Sequence, residues 1–136
     1  MIRVTIRFVL LIGVMVSASR DLRAQASTRN DPLGTWRGTS LCQVRPSACH
    51  DENVIFRIAR TGTRDSVAID GRRVVNNEEV EMGVLRCRHE TQSARIICAI
   101  PSGVWQFSVR GDSLVGELRQ PDGAKTRDVR TVRARQ

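Results

Sequence analysis

Three short connections constrain this chain more than any other feature. Pro101-Ser102-Gly103, Gly111-Asp112 and Pro121-Asp122-Gly123 each separate two segments rich in Val, Ile, Leu, Phe or Trp. Gly, Asp and Pro supply the backbone angles of tight turns, and so short a connection returns a strand antiparallel to the one before it. Extending the same reading along the chain gives eight strands, at Gly34 to Cys42, Asn53 to Arg60, Asp65 to Asp70, Val80 to Glu90, Arg95 to Ile100, Val104 to Arg110, Ser113 to Gln120 and Lys125 to Arg133. Two stretches resist it. Gln43 to Glu52 reads as a loop, and within Gly71 to Glu79 the residues Arg72 to Asn77 fit either one helical turn or an extension of the third strand.

Alternation gives these strands an inside and an outside. Trp105, Phe107 and Val109 alternate with Gln106 and Ser108, Val54, Phe56 and Ile58 share a face, and Leu114, Gly116 and Leu118 oppose Glu117 and Arg119. An antiparallel sheet with one apolar face buries that face, and loses its open edges, by curling into a closed cylinder. The expected fold is therefore an all-β, eight-stranded antiparallel up-and-down β-barrel. Eight strands enclose a space that side chains can fill or that can hold one small ligand. Trp36, Phe56, Ile58, Leu85, Ile96, Trp105, Phe107, Leu114 and Leu118 are available to fill it, with slack expected at Gly38, Ser40 and Gly116.

The cysteines sharpen the register. A turn centred between Gln92 and Ser93 sets Glu90 against Arg95, Leu85 against Ile100 and Cys87 against Cys98, which predicts a cross-strand disulfide. Leu85, Cys87 and His89 then face inward. Val80, Met82 and Val84 have the opposite parity, so a β-bulge near Gly83 is needed to turn them the same way. Cys42 and Cys49 are left to close the first loop, one of three connectivities that four cysteines allow.

An oxidising compartment fits this pattern. Arg3 and Arg7, the uncharged run from Phe8 to Ala18 and the small-x-small motif Ala24-Gln25-Ala26 read as a signal peptide over residues 1–26, with the mature chain starting at Ser27 and a flexible lead-in over 27–33. The apolar run is too short to span a bilayer of about 30 Å as a helix, so no membrane insertion is expected. The expected localisation is secreted or periplasmic. Loss of that segment removes four Arg and one Asp and lowers the formal charge from +8 to +5. The remaining arginines are dispersed and the chain has no Tyr, an arrangement unlike the clustered basic and aromatic surface that binds nucleic acid.

The first strand opens with Gly34-Thr35-Trp36. This Gly-x-Trp, together with the export signal, the meander and an Arg-containing last strand, resembles the small secreted lipocalin-like, or calycin-type, β-barrels over residues 33 to 135. The resemblance implies that Trp36 plugs one end of the barrel and that Arg130 or Arg133 packs over it, a contact worth about 0.5–2 kcal/mol.

Little in the sequence speaks for catalysis. Neighbouring side chains of Cys49-His50-Asp51-Glu52 point in opposite directions when extended and do not form a triad, and Cys42 and Cys49 are spaced more widely than zinc ligands usually are. Gly-rich phosphate loops and metal-binding His pairs are missing as motifs, so neither cofactor nor metal is expected. The reading that remains is a non-enzymatic binding module for a small apolar or amphiphilic ligand, contacted by Trp105, Phe107 and Phe56 and oriented by His89 near the barrel rim. The alternative is a packed β-barrel that binds or inhibits another protein partner through Ser27 to Leu33 or the Cys42 to Cys49 loop. The oligomeric state stays open.

Overall fold

The computed structural model describes residues 30–135. The export signal expected over residues 1–26 lies outside them. Eight strands follow one another: β1 (Gly34–Cys42), β2 (Glu52–Arg60), β3 (Ser66–Val75), β4 (Glu78–Glu90), β5 (Arg95–Ile100), β6 (Gly103–Arg110), β7 (Ser113–Arg119) and β8 (Lys125–Arg133). Each is antiparallel to its neighbour, and β1 also pairs with β8, so the sheet closes into an up-and-down barrel. No helix among the described residues is long and apolar enough to cross a membrane.

The stretch left open between β3 and β4 is a strand extension. Asn76 and Asn77 take φ of 52° and 65°, and two successive positive-φ residues make the turn that suits the right-handed twist of a hairpin. Asn tolerates that conformation better than other non-glycine residues. β3 and β4 thus run on to Val75 and from Glu78. Their pairing steps from Gly71↔Gly83 to Arg72↔Glu81, leaving Met82 as the extra residue of the expected bulge, but Val80, Met82 and Val84 remain exposed instead of all turning inward. Both disulfides join the expected partners, Cys42–Cys49 and Cys87–Cys98, and no cysteine is free.

One end of the barrel is closed. Trp36 is fully buried there, and its indole N–H donates to the Pro32 carbonyl at 2.8 Å. The Arg133 guanidinium lies 4.2 Å from the indole centroid and donates to the Leu33 and Asp31 carbonyls at 2.7 and 2.6 Å. Asp31, Pro32 and Leu33, expected as part of a flexible lead-in, are held by these bonds, and Pro32 is itself buried. Arg130 does not share the task. Its even position on β8 turns it outward, where it is largely exposed and pairs with Asp128 at 3.2 Å.

The interior is filled unevenly. Phe107 is buried and meets Phe56 edge to face at 5.7 Å. The slack expected at Gly38 and Gly116 is not there: a Cβ at Gly38 would strike the Arg130 backbone, and one at Gly116 would strike the Phe107 ring. These glycines permit close approach and leave no space. Room remains instead around Gly71 and Gly83, on the side where β4 bulges.

Candidate binding pocket

That room is a pocket of about 420 Å³ at the end opposite Trp36. Val54 and Phe56 enter it from β2, Met82 and Leu85 from β4, and Trp105 and Phe107 from β6, with the exposed Val84 at its edge. Trp105 stacks on Phe107 at 5.4 Å with the rings 9° from parallel. Strand parity accounts for the set, since Phe56, Leu85, Trp105 and Phe107 all occupy inward positions, and the bulge turns Met82 toward Gly71. Sequence reasoning placed Trp105, Phe107 and Phe56 on one inner face, and the structure brings all three to the same pocket.

The polar part comes from residues that sequence reasoning did not select as ligand contacts. Ser40, Glu52 and Arg127 line the pocket where β1, β2 and β8 meet the mouth. Arg127 donates to Ser40 Oγ and to the His50 carbonyl, both at 3.2 Å, and lies 3.4 Å from Glu52. Glu52 is largely shielded from solvent and also meets Arg73 at 3.4 Å. Two guanidinium groups therefore flank one carboxylate, and the cluster carries a net positive charge. The signal was present in β8, where Val129, Thr131 and Arg133 share the inner face with Arg127. An inward arginine in the first half of that strand has to find its partners within the barrel.

His89 stands apart. It faces inward and is buried, but β4 runs from the mouth toward the closed end, so a residue near its C-terminus lies at the far end from the pocket. Its backbone N–H donates to the Asp65 carbonyl at 2.7 Å, whereas neither ring nitrogen has a hydrogen-bond partner among the described residues. Burial, reinforced by the charge of Arg60, pushes its pKa below the usual imidazole value of 6.5, and Asp31 and Asp65 only partly oppose this. At that end it does not meet a ligand held by Trp105, Phe107 and Phe56.

The loop closed by Cys42–Cys49 borders the mouth. Asp51 Oδ1 accepts from the Cys42 backbone N–H at 2.8 Å and from Arg45 at 2.9 Å. His50 is exposed, with Nε2 3.7 Å from Glu52. The described residues contain no group of three or more His, Cys, Asp and Glu side chains arranged to hold a metal ion. Comparison of the chain with models of protein families, with curated proteins and with solved structures finds no match.

Proposed function

We propose that this chain is a secreted or periplasmic, non-enzymatic binding module of lipocalin-like, calycin-type build, taking a small amphiphilic ligand at the mouth of the barrel. The observation that carries the reading is the pocket itself. Its volume lies within the range of small-molecule sites, and an apolar wall with a few convergent polar groups is the usual composition of such sites. The apolar part of the ligand packs against Phe56, Leu85, Trp105 and Phe107. Its polar end lies toward Ser40, Glu52 and Arg127, where the net positive charge favours an anionic or strongly polar head. The Gly34-Thr35-Trp36 opening and the Arg133 stack on Trp36 support the calycin-type relation. The same pocket weighs against the other reading, a barrel packed solid that works only through its loops.

Trp105 supplies the test. Titration with medium-chain fatty acids, and with the corresponding alcohols as uncharged controls, should change its fluorescence saturably. Trp105→Ala should abolish most of the binding, and Arg127→Gln should weaken the acids more than the alcohols. Failure of every amphiphile to bind saturably to the oxidised protein would sink the proposal.

A further inference from the structure

The barrel closes, but its wall is not evenly paired. β3 borders β4 over nearly its whole length, from Val75↔Glu78 to Ser66↔Arg88, whereas β5 borders it only at Arg88↔Ile97, His89↔Ile96 and Glu90↔Arg95. The Cys87–Cys98 bridge, with its Cα atoms 4.3 Å apart, sits where the two strands part. Leu85 and Ile100, expected to face each other, are not paired. β4 carries its bulge at Met82, and β5 ends at Ile100 before the next turn. Between Glu78 and Arg86, β4 has no hydrogen-bonded strand on the side of β5 among the described residues.

An open strand edge is normally protected by Lys or Pro, by other charges or by a bulge, because its unpaired N–H and C=O groups accept another strand. This one has no Lys or Pro; it carries the bulge at Met82 and the charges of Glu81 and Arg86, yet exposes Val80, Met82 and Val84 at 37%, 45% and 58%. Glu81 and Arg86 flank the apolar stretch, and neither has an ion-pair partner among the described residues; the neighbouring Arg72 and Arg88 are engaged by Asp70 and Glu90.

We propose that this edge joins two copies of the chain, β4 antiparallel to β4 about a twofold axis through Val84. The order of charges selects the occupant. An antiparallel strand lying here needs an acid opposite Arg86, apolar side chains in the middle and a base opposite Glu81, and β4 itself reads Glu81, Met82, Gly83, Val84, Leu85, Arg86. With Val84 facing its symmetry mate, Gly83 opposes Leu85 of the partner subunit. The extra residue at the bulge then brings Glu81 to Arg86 of the partner subunit on the outer face. Such a self-complementary contact has the geometry of a closed twofold dimer. The inference rests on the strand edge and stands independently of any ligand.

Sedimentation velocity of the oxidised protein over a concentration series tests it. The expected result is a monomer–dimer equilibrium that Val84→Lys shifts to monomer. Glu81→Arg and Arg86→Glu should each weaken the dimer about tenfold or more, since either one places like charges opposite each other at two symmetric sites. The double variant Glu81→Arg/Arg86→Glu should restore it. These positions are solvent-facing, so thermal melting of the monomer is expected to stay close to that of the parent, and the rescue separates interface loss from misfolding. A monomer at every concentration would overturn the proposal. So would a dimer indifferent to the single swaps, or an edge that takes up a synthetic extended peptide but not a second copy.

Discussion

The two ends of this barrel are built from the same strands and are packed in opposite ways. At the closed end an indole, a guanidinium and three backbone carbonyls satisfy one another, and Trp36 is left without solvent contact. At the mouth the aromatic rings stop short of filling the lumen, the charged groups gather around Glu52, and the wall parts between β4 and β5. Packing density provides stability, and space for a ligand can exist only where that density is given up. The difference teaches that the largest side chains of a small barrel cannot be assigned to core or site by type, since Trp36 and Trp105 are chemically identical and separated in role by position alone.

The strongest way to break this contrast is to truncate both tryptophans. Trp36→Ala should destabilise by about 3–5 kcal/mol, enough to unfold much of a domain this size, while Trp105→Ala should cost less than about 2 kcal/mol and act mainly on ligand binding. Paired denaturant melts and titrations decide, and equal stability losses would erase the distinction. Next in size are the disulfides. Converting Cys87 and Cys98 to Ser should cost about 3 kcal/mol and converting Cys42 and Cys49 about 2 kcal/mol, following the loop each one closes. The first pair is also buried at the fork of the wall, so its loss should enhance amide exchange in β4 and β5, whereas loss of the second should disturb only the mouth loop.

Arginines on β8 offer a finer comparison. Arg133→Ala removes the stack on Trp36 and the donor to two carbonyls, for an expected loss of about 1–3 kcal/mol. Arg130→Ala, three residues away on the outer face, should fall within about 0.5 kcal/mol of the parent. Chemical denaturation of the two variants measures the gap, and near-equal values would mean that the closed end does not depend on its latch.

The smallest effect concerns pH. His89 is held neutral in the folded barrel because burial and Arg60 lower its pKa, while the unfolded chain protonates near 6.5. Below about pH 6.5 the unfolded state therefore binds more protons, and stability should fall with pH by at most about 1.4 kcal/mol per unit until the folded-state pKa is reached. Above that window the contribution is constant. His89→Leu should flatten this part of the profile, as followed by urea melts between pH 5 and 8. A folded parent whose stability rises on acidification there would contradict the placement of the imidazole.

Much of this architecture was legible in the sequence because hairpin turns and two-residue alternation are local signals. The opposition of Cys87 and Cys98, the bulge beside Gly83 and the inward faces of β2, β6 and β7 all follow from counting residues. What escaped was set by neighbours distant along the chain. Arg127 meets Ser40 and Glu52 only once β8 closes on β1, and Gly38 is crowded by the same closure. Strand direction settled His89, since inward parity does not say at which end a residue lies. Ile55 has outward parity yet is buried, in a row between Arg37 and Arg72 whose long aliphatic stems can cover it.

The latch at Trp36 has a further consequence for how the ring is assembled. Every strand pairing except one joins neighbours in sequence and can form by zipping successive hairpins. The exception, β1 with β8, brings Trp36 opposite Arg133 and closes a loop spanning almost the whole described chain. The entropy of that closure grows slowly with length but falls on a single seam, and the guanidinium–indole stack lies directly on it. A circularly permuted chain, cut at the exposed Asn76-Asn77 turn and with β8 linked directly to β1, would turn this distant pairing into a local one and should depend less on Arg133 for its stability.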